Sequence, residues 1–486
     1  FLRYIICLPF FSLLTGLYAH AQPGTSVDIN TPEKYEKRKL GAERTGDKKF
    51  NFPRRLYNNT VSHYNYFFNG NQKLNEIIDQ SKENFRDDFT KLIPFYNYSL
   101  DVTSGNGELD SIIYKCTAGI LLHDLRSDWV DNLYLLMGKT YFYRKNFDSA
   151  DQVFRYINYA FAPKEEGGYD IPVGSNAGIS GTTFSISTKE NNNVLKKVVS
   201  TPPSRNDALL WEAKNFIERD KMGEAMGLLQ ILKSDPVFPS RLQDELHEAL
   251  AYWYYKEHVY DSAAFHLSKS MNTVANKQEQ ARREYLTGQL YDLADSSDKA
   301  VDYFTRSGNH TSDPILEVYA NLSSIRASKG DTTSLIKEKL ENLLKMAKRD
   351  KYINNRDIIY YAAAEVEREI KQDSAAENLL HKSIKYNDRQ ENPTQRSKSF
   401  LMLADIRYGK ADYVIAKNYY DSVEVGFIID EKDNERITAR KEGLTIIAEN
   451  TSNIHDEDSL QNLAKMPKEQ RDDLVKKKVK ELNKDK

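Results

Sequence analysis

One spacing recurs along this chain and limits what it can fold into. In YLLMGKTYFYRKNFDSADQVF, Gly138 and Tyr141 are followed by Ala150 and Phe154. YLTGQLYDLADSSDKAVDYF repeats the pattern with Gly288, Tyr291, Ala300 and Phe304. Further copies read Ala213, Phe216, Ala225, Leu229, then Ala251, Tyr254, Ala263, Leu267, then Ala363, Val366, Ala375, Leu379, then Ala404, Ala416, Tyr420. A copy over 314–349 is degenerate. Small residues let two helices approach where they cross, and the aromatic fills the gap to the next pair. One pair cannot bury its apolar face alone, so pairs must stack. A period of roughly 34 to 41 residues, kept over six copies, predicts such a stack.

The small, aromatic, small, large order resembles the tetratricopeptide repeat (TPR). The expected fold is therefore all-α: a TPR solenoid of αα-hairpins, about seven to nine pairs long, with one irregular Gly/Ser/Asn-rich insertion. Composition agrees, since 22 Gly and 14 Pro in 486 residues are too few for a β-sandwich with its frequent turns. A formal net charge of −2, with no basic stripe, argues against a nucleic-acid partner.

The expected organisation starts with a signal peptide over 1–21. Arg3 leads an apolar run from Ile5 to Tyr18, and Ala19-His20-Ala21 is a small-x-small cleavage site. Because the first residue is Phe, the extreme N-terminus is expected to be incomplete. Residues 22–55 read as a flexible polar leader, and 56–163 as N-terminal TPR-like repeats. Residues 164–205 form the insertion, where a link of a few residues would suffice; FSIST within it reads as a short strand. The solenoid continues over 206–430. Residues 431–486 read as C-terminal helices and a Lys-rich tail, with two short helices broken at Pro467.

The stretch YNYFFNG, residues 64–70, has two readings. Asn-Gly after aromatics is a hairpin signal, but Tyr57, Val61, Tyr64 and Phe68 step by four, three and four, as on one helix face. The helical reading is preferred. It makes those four residues a core face and Gly70 a left-handed helix stop, and it leaves Tyr66 off the stripe.

No phosphate loop, GxSxG, HExxH or CxxC is present. No catalytic residue, metal ligand or cofactor is expected, and an enzyme is the least favoured class. Cys7 follows Ile6 rather than a small residue, so it does not fit a lipid-attachment site. Cys116 lies on an apolar helical stretch and reads as a buried structural thiol.

Asp-Ser-Ala occurs at 148–150, 261–263 and 373–375, where second helices should begin, so each Asp is expected as an N-cap. These triplets and their relatives also resemble the O-glycosylation acceptor of exported Bacteroidetes proteins. The candidate acceptors are Ser111, Ser149, Ser262, Thr332, Ser374, Ser422 and Ser459.

The segments YNYFFNGNQKLNE, FDSADQVFRYINYAF, PPSRNDALLW and DSLQNLAKMPKEQR, with the insertion, resemble the SprE/PorW family of type IX secretion and gliding proteins over most of 56–475. The resemblance implies a non-enzymatic periplasmic scaffold on or near the outer membrane, with other proteins as partners, translocon or secretion-ring components among them. No small-molecule substrate is implied. Some members look like lipoproteins and some carry further repeats, so this chain departs in its missing lipobox and reads as a short form or a fragment. Arg205, Asn206, Asp207 and Trp211 are the candidate protein-binding residues, expected to hold the exit of the insertion. The plainer role for Trp211 is to cap the core of the next repeat. A general periplasmic chaperone is the alternative; a glycan-binding protein of the SusD type fits poorly, lacking its lipid-bearing Cys and aromatic-decorated domain.

Overall fold

A computed structural model describes residues 49–162, 186–190, 203–328, 333–387, 392–427 and 431–482, with scattered positions between 27 and 47. Among these residues every regular element is helical, and consecutive helices pack pairwise. The signal segment lies outside them, as does most of the insertion. The chain divides into two compact units, Phe1–Ser296 and Ser297–Lys486.

The first unit opens with α1 (Phe52–Val61), started by the Asn51 side chain accepting from the Arg54 amide and by Pro53 in the first turn. No break follows. A π-helical stretch (Ser62–Phe68) leads directly into α2 (Asn69–Asn84). The expected left-handed helix stop at Gly70 is thus corrected to continuous helix. Gly70 is needed for close approach instead: a Cβ there would lie 3.0 Å from Leu136 Cδ2.

The expected core face is corrected too. Tyr57, Tyr64 and Phe68 are 64%, 57% and 50% exposed, while Tyr66 and Phe67 pack on the core. Tyr57 lies in α1, ahead of the π stretch, and is already exposed, so the whole stripe faces away from the core. Tyr66 seats against Gly119 and His123, and His63 stacks on Trp129 at 3.8 Å. The leader is not simply flexible either. Leu40 is buried, Thr45 Oγ1 accepts from the Leu125 amide, and Arg126 covers the Phe50 ring.

After a loop over 85–99 come α3 (Leu100–Ser104) and α4 (Glu108–Leu122). Then follow the pairs α5 (Val130–Tyr143) with α6 (Phe147–Ala160), α7 (Arg205–Glu218) with α8 (Met222–Ser234), and α9 (Gln243–Lys256) with α10 (Tyr260–Lys269). The unit closes with α11 (Lys277–Leu293). Helix α6 packs on α7 although the insertion separates them in sequence.

The second unit contains α12 (Ser297–His310), α13 (Pro314–Ala327), α14 (Thr333–Met346), α15 (Arg356–Glu369), α16 (Asp373–Tyr386), α17 (Pro393–Gly409) and α18 (Tyr413–Asp421). It ends with α19 (Glu431–Lys465) and α20 (Lys468–Leu482). The break at Pro467 is where it was expected, but the first of those "short" helices is the end of the long α19. Arg436 and Arg440 of α19 bond Asp405, and Ile437 and Leu444 are buried beside Tyr420.

One turn geometry recurs through both units. Among the described residues, Lys145, Asp220, His258, Asp295, Lys371 and Ala411 are the non-glycine residues with left-handed backbone, φ 55–61°. After each, the next amide bonds the carbonyl five residues back, as in Asn146 to Tyr141 and Asp412 to Arg407. That closes a helix end of the Schellman type without glycine. Five residues beyond each stands a fully buried alanine: Ala150, Ala225, Ala263, Ala300, Ala376 and Ala416.

This fixes the packing register, and it corrects one copy. The fifth pair uses Ala364, Ala376 and Leu380, all 0% exposed. The sequence pattern had selected Ala363, Ala375 and Leu379, and Ala375 is only half-buried. The N-cap expectation for Asp-Ser-Ala is corrected as well. Asn146, Val259 and Gln372 hold the cap positions, and the aspartates sit inside the first turn, where their charge complements the helix dipole.

Candidate groove

The loop over 85–99 is the one long non-helical stretch of the first unit that the structure describes in full. Helix α2 ends as Phe85 turns extended, and Pro94 within the loop cannot donate a main-chain bond. The loop lies across first-of-pair helices far along the sequence. On α11, Arg282, Tyr285 and Gln289 fall at i, i+3 and i+7, one helical face. Arg282 grips Asp87 with two bonds of 2.7 Å and also donates to the carbonyls of Pro94 and Phe95. The Tyr285 hydroxyl donates to the Phe89 carbonyl at 2.9 Å, with the two rings edge-on. Gln289 donates to the Lys91 carbonyl at 2.7 Å and accepts from the Ile93 amide at 3.1 Å.

Helix α9 adds a second face. The Tyr255 hydroxyl donates to the Ile93 carbonyl, and Phe95 packs on the rings of Tyr252 and Tyr255. Ile93 is 0% exposed. The main-chain carbonyls of Phe89, Lys91, Ile93, Pro94 and Phe95 and the Ile93 amide are thus satisfied by side chains, as buried backbone requires.

Beside the loop lies a cavity of about 190 Å³, lined by Tyr96, Tyr98, Trp211, Lys214, Glu248 and Arg283 among others. Glu248 is its hub. Lys214, Arg283, Tyr96 and Thr273 all contact its two oxygens. Burial alone would raise this carboxyl, but Lys214 and Arg283, with the Thr273 hydroxyl, pull it down to about 2. Burial, followed by the Glu248 charge, pushes the Tyr96 phenol well above its ordinary value.

Glu248 is thus held ionised by its partners. Glu212 is pushed up to about 7, chiefly by burial and then by Asp151, but Asn158 and Arg155 contact its oxygens. Cys116 is fully buried and its thiol is raised by desolvation, which suppresses nucleophilicity. Among the described residues no group of three or more His, Cys, Asp or Glu is placed to hold a metal ion.

The candidate residues from the sequence separate into two places. Arg205 and Asn206 hold residues 186–190 of the insertion. Arg205 donates to the Ile186 carbonyl at 2.7 Å, and the Asn206 amide pairs with both main-chain groups of Thr188 at 2.8 Å. Asp235 accepts from the Ile186 and Ser187 amides, so this stretch runs as a pinned loop with no strand assigned to it. Asp207 and Glu190 share Arg241. Trp211 instead packs on Phe142, Tyr143 and Phe154, flanked by Lys139 and Lys214, and lines the cavity.

Of the candidate acceptors, Ser111, Ser374, Ser422 and Ser459 are exposed and Ser149 and Ser262 half-buried. Thr332 lies outside the described residues.

Sequence reasoning missed the loop and its clamp. Phe85 and Phe89, four apart, read as continuing the helical period of Leu74, Ile77 and Ile78, whereas the helix ends at Asn84; the signal that was present is the stripe shared by residues 282, 285 and 289. No protein-family model matches the chain, and no curated protein matches it.

Proposed function

We propose that this chain is a non-enzymatic TPR scaffold that acts by holding other polypeptides. The observation that carries the reading is the groove on α9 and α11, which grips an irregular stretch of polypeptide largely by its main chain. The recurring turn and the buried small and large positions support the TPR assignment. From the family resemblance comes the setting: an adaptor of type IX protein secretion in the periplasm, peripheral to the outer membrane, with translocon or secretion-ring components as partners.

Affinity purification of the tagged chain from its native envelope, followed by mass spectrometry, tests this. Translocon components are the expected yield. A broad mixture of outer-membrane clients overturns the secretion role in favour of a general chaperone, and recovery of no protein partner overturns the scaffold reading. The insertion is proposed as one contact, with Arg205 and Asn206 presenting it. Deleting 168–202 should impair secretion, and unchanged secretion at normal protein level removes that role.

A further inference from the structure

The way the loop over 85–99 is held differs from ordinary core packing. Arg282, Tyr255, Tyr285 and Gln289 direct bonds to main-chain atoms of Pro94, Phe95, Ile93, Phe89 and Lys91. Main-chain bonds do not depend on side-chain identity, so a groove that reads them accepts another sequence following the same path. Side-chain selection comes from the Asp87 carboxylate on Arg282, the Phe89 ring on Tyr285, Ile93-Pro94-Phe95 against the α9 tyrosines, and Tyr96 and Tyr98 against Glu248, Tyr252 and Tyr143.

Charge narrows the choice. Around the cavity Lys82, Lys214, Arg282 and Arg283 face two carboxylates, Glu248 and Glu279. Asp87 from the loop offsets part of that excess. The Arg282 side chain is only 11% exposed and Asp87 only 9%. If the loop leaves, a nearly buried guanidinium loses its carboxylate, which is strongly unfavourable unless another replaces it.

Resting on the reading of this chain as a holder of polypeptides, we infer that residues 85–99 are the built-in occupant of a peptide-binding groove, and that a partner segment of the same chemistry displaces them. That segment is irregular rather than helical. It carries an acidic residue that meets Arg282 and, about seven residues further on, a proline followed by an aromatic. The loop keeps the groove closed until such a segment competes with it, so free and occupied forms share one scaffold.

The test uses the full chain with 85–99 replaced by a Gly/Ser stretch of equal length. The probe is a fluorescein-labelled synthetic peptide of residues 85–99, read by fluorescence polarisation. The replaced chain should bind the peptide saturably and at least tenfold more tightly than the unaltered chain does. A peptide carrying Asp87→Asn should bind at least tenfold more weakly. A replaced chain that keeps its helical circular dichroism and thermal transition but shows no saturable binding overturns the inference, as does equal binding of both peptides.

If the replacement fails to fold, hydrogen exchange on the unaltered chain decides. Loop amides exchanging at least a hundredfold faster than those of α11 support a displaceable occupant. Loop amides that exchange only with α11, through global unfolding, overturn it. The envelope purification uses the unaltered chain, so partners recovered alongside a failed peptide experiment would sink this inference and leave the scaffold reading standing.

Discussion

The register of the fifth helix pair can be tested with two adjacent alanines. Ala376 is 0% exposed, five residues beyond the left-handed Lys371, while Ala375 is half-buried. Replacing either with leucine adds the same atoms and, in a helix, changes propensity little. At 376 the new branches must enter the contact between α15 and α16, where Ala364 and Val366 are also buried to 1% or less. Overpacking of a closed site costs about 1–3 kcal/mol. At 375 the side chain can extend toward solvent, and the cost should stay within about 0.5 kcal/mol. For a unit of this size, 1 kcal/mol corresponds to roughly 2–4 °C. Ala376→Leu should therefore lower the transition by about 3–10 °C, and Ala375→Leu by no more than about 2 °C. Differential scanning calorimetry of the two variants reads this directly. Equal losses, or a larger loss at 375, would refute the register and with it the rule that the turn sets the packing.

Three further outcomes follow from the same geometry. Ala411→Gly should stabilise the second unit, because Ala411 holds φ 59°; relief of the left-handed penalty outweighs the added unfolded-state entropy by about 0.5 kcal/mol, measured as a raised urea midpoint. His266 on α10 lies 2.8 Å from His247 on α9, and burial, then His247, then Lys233 push it down to about 4. It is neutral in the fold while the unfolded chain gains a proton below about 6.5, so its stabilisation is complete above pH 6.5 and declines as pH falls toward 4. The loss should reach about 2 kcal/mol after allowance for solvent screening, and His266→Gln should flatten the pH dependence of the melting temperature over that window. Finally, an intact mass of the exported native protein above that of the bare chain is expected if the exposed Asp-Ser sites are glycosylated; a mass equal to the bare chain rules it out.

Much of the helical stack was legible because its signals are local. Gly138 needs no long-range knowledge: a Cβ there would fall 2.5 Å from the Phe154 ring, and the spacing of the two residues already implies the contact. Where the reading failed, a short motif competed with the geometric rule. Asp373-Ser374-Ala375 copies the two earlier triplets letter for letter, yet the buried small residue is one place later. The decisive variable is the left-handed turn residue, and its identity varies among Lys, Asp, His and Ala. Such positions favour glycine, asparagine or aspartate; Asp220 and Asp295 fit that, but Lys, His and Ala do not, so no single residue type announces the turn.

YNYFFNG failed for a related reason. The stripe of Tyr57, Tyr64 and Phe68 faces outward although its spacing suits a core face, and nothing in the letters marks this before the partner helices are known. Tyr64 and Phe68 satisfy helical periodicity as well as Tyr66 and Phe67 do. Only the close approach of Gly119 to Tyr66, and of Gly70 to Leu136, selects between them.

The groove was hardest to foresee because its two halves are nearly two hundred residues apart in sequence. Arg282, Tyr285 and Gln289 look like a solvated polar stripe on α11, and periodicity assigns such stripes to the surface. The loop, read alone, continues a helical period through Phe89 and then meets a proline. Each half appears unremarkable because each is completed by the other: the stripe lacks apolar cover until Phe89 and Phe95 arrive, and the loop lacks main-chain partners until α9 and α11 supply them. A repeat stack can position such complementary halves without a recognisable motif in either. That is why the search for catalytic or phosphate-binding signatures passed over the most specific polar contacts in the first unit, and why the chemistry of Arg282 and Asp87, rather than any sequence signature, is the place to look for a partner.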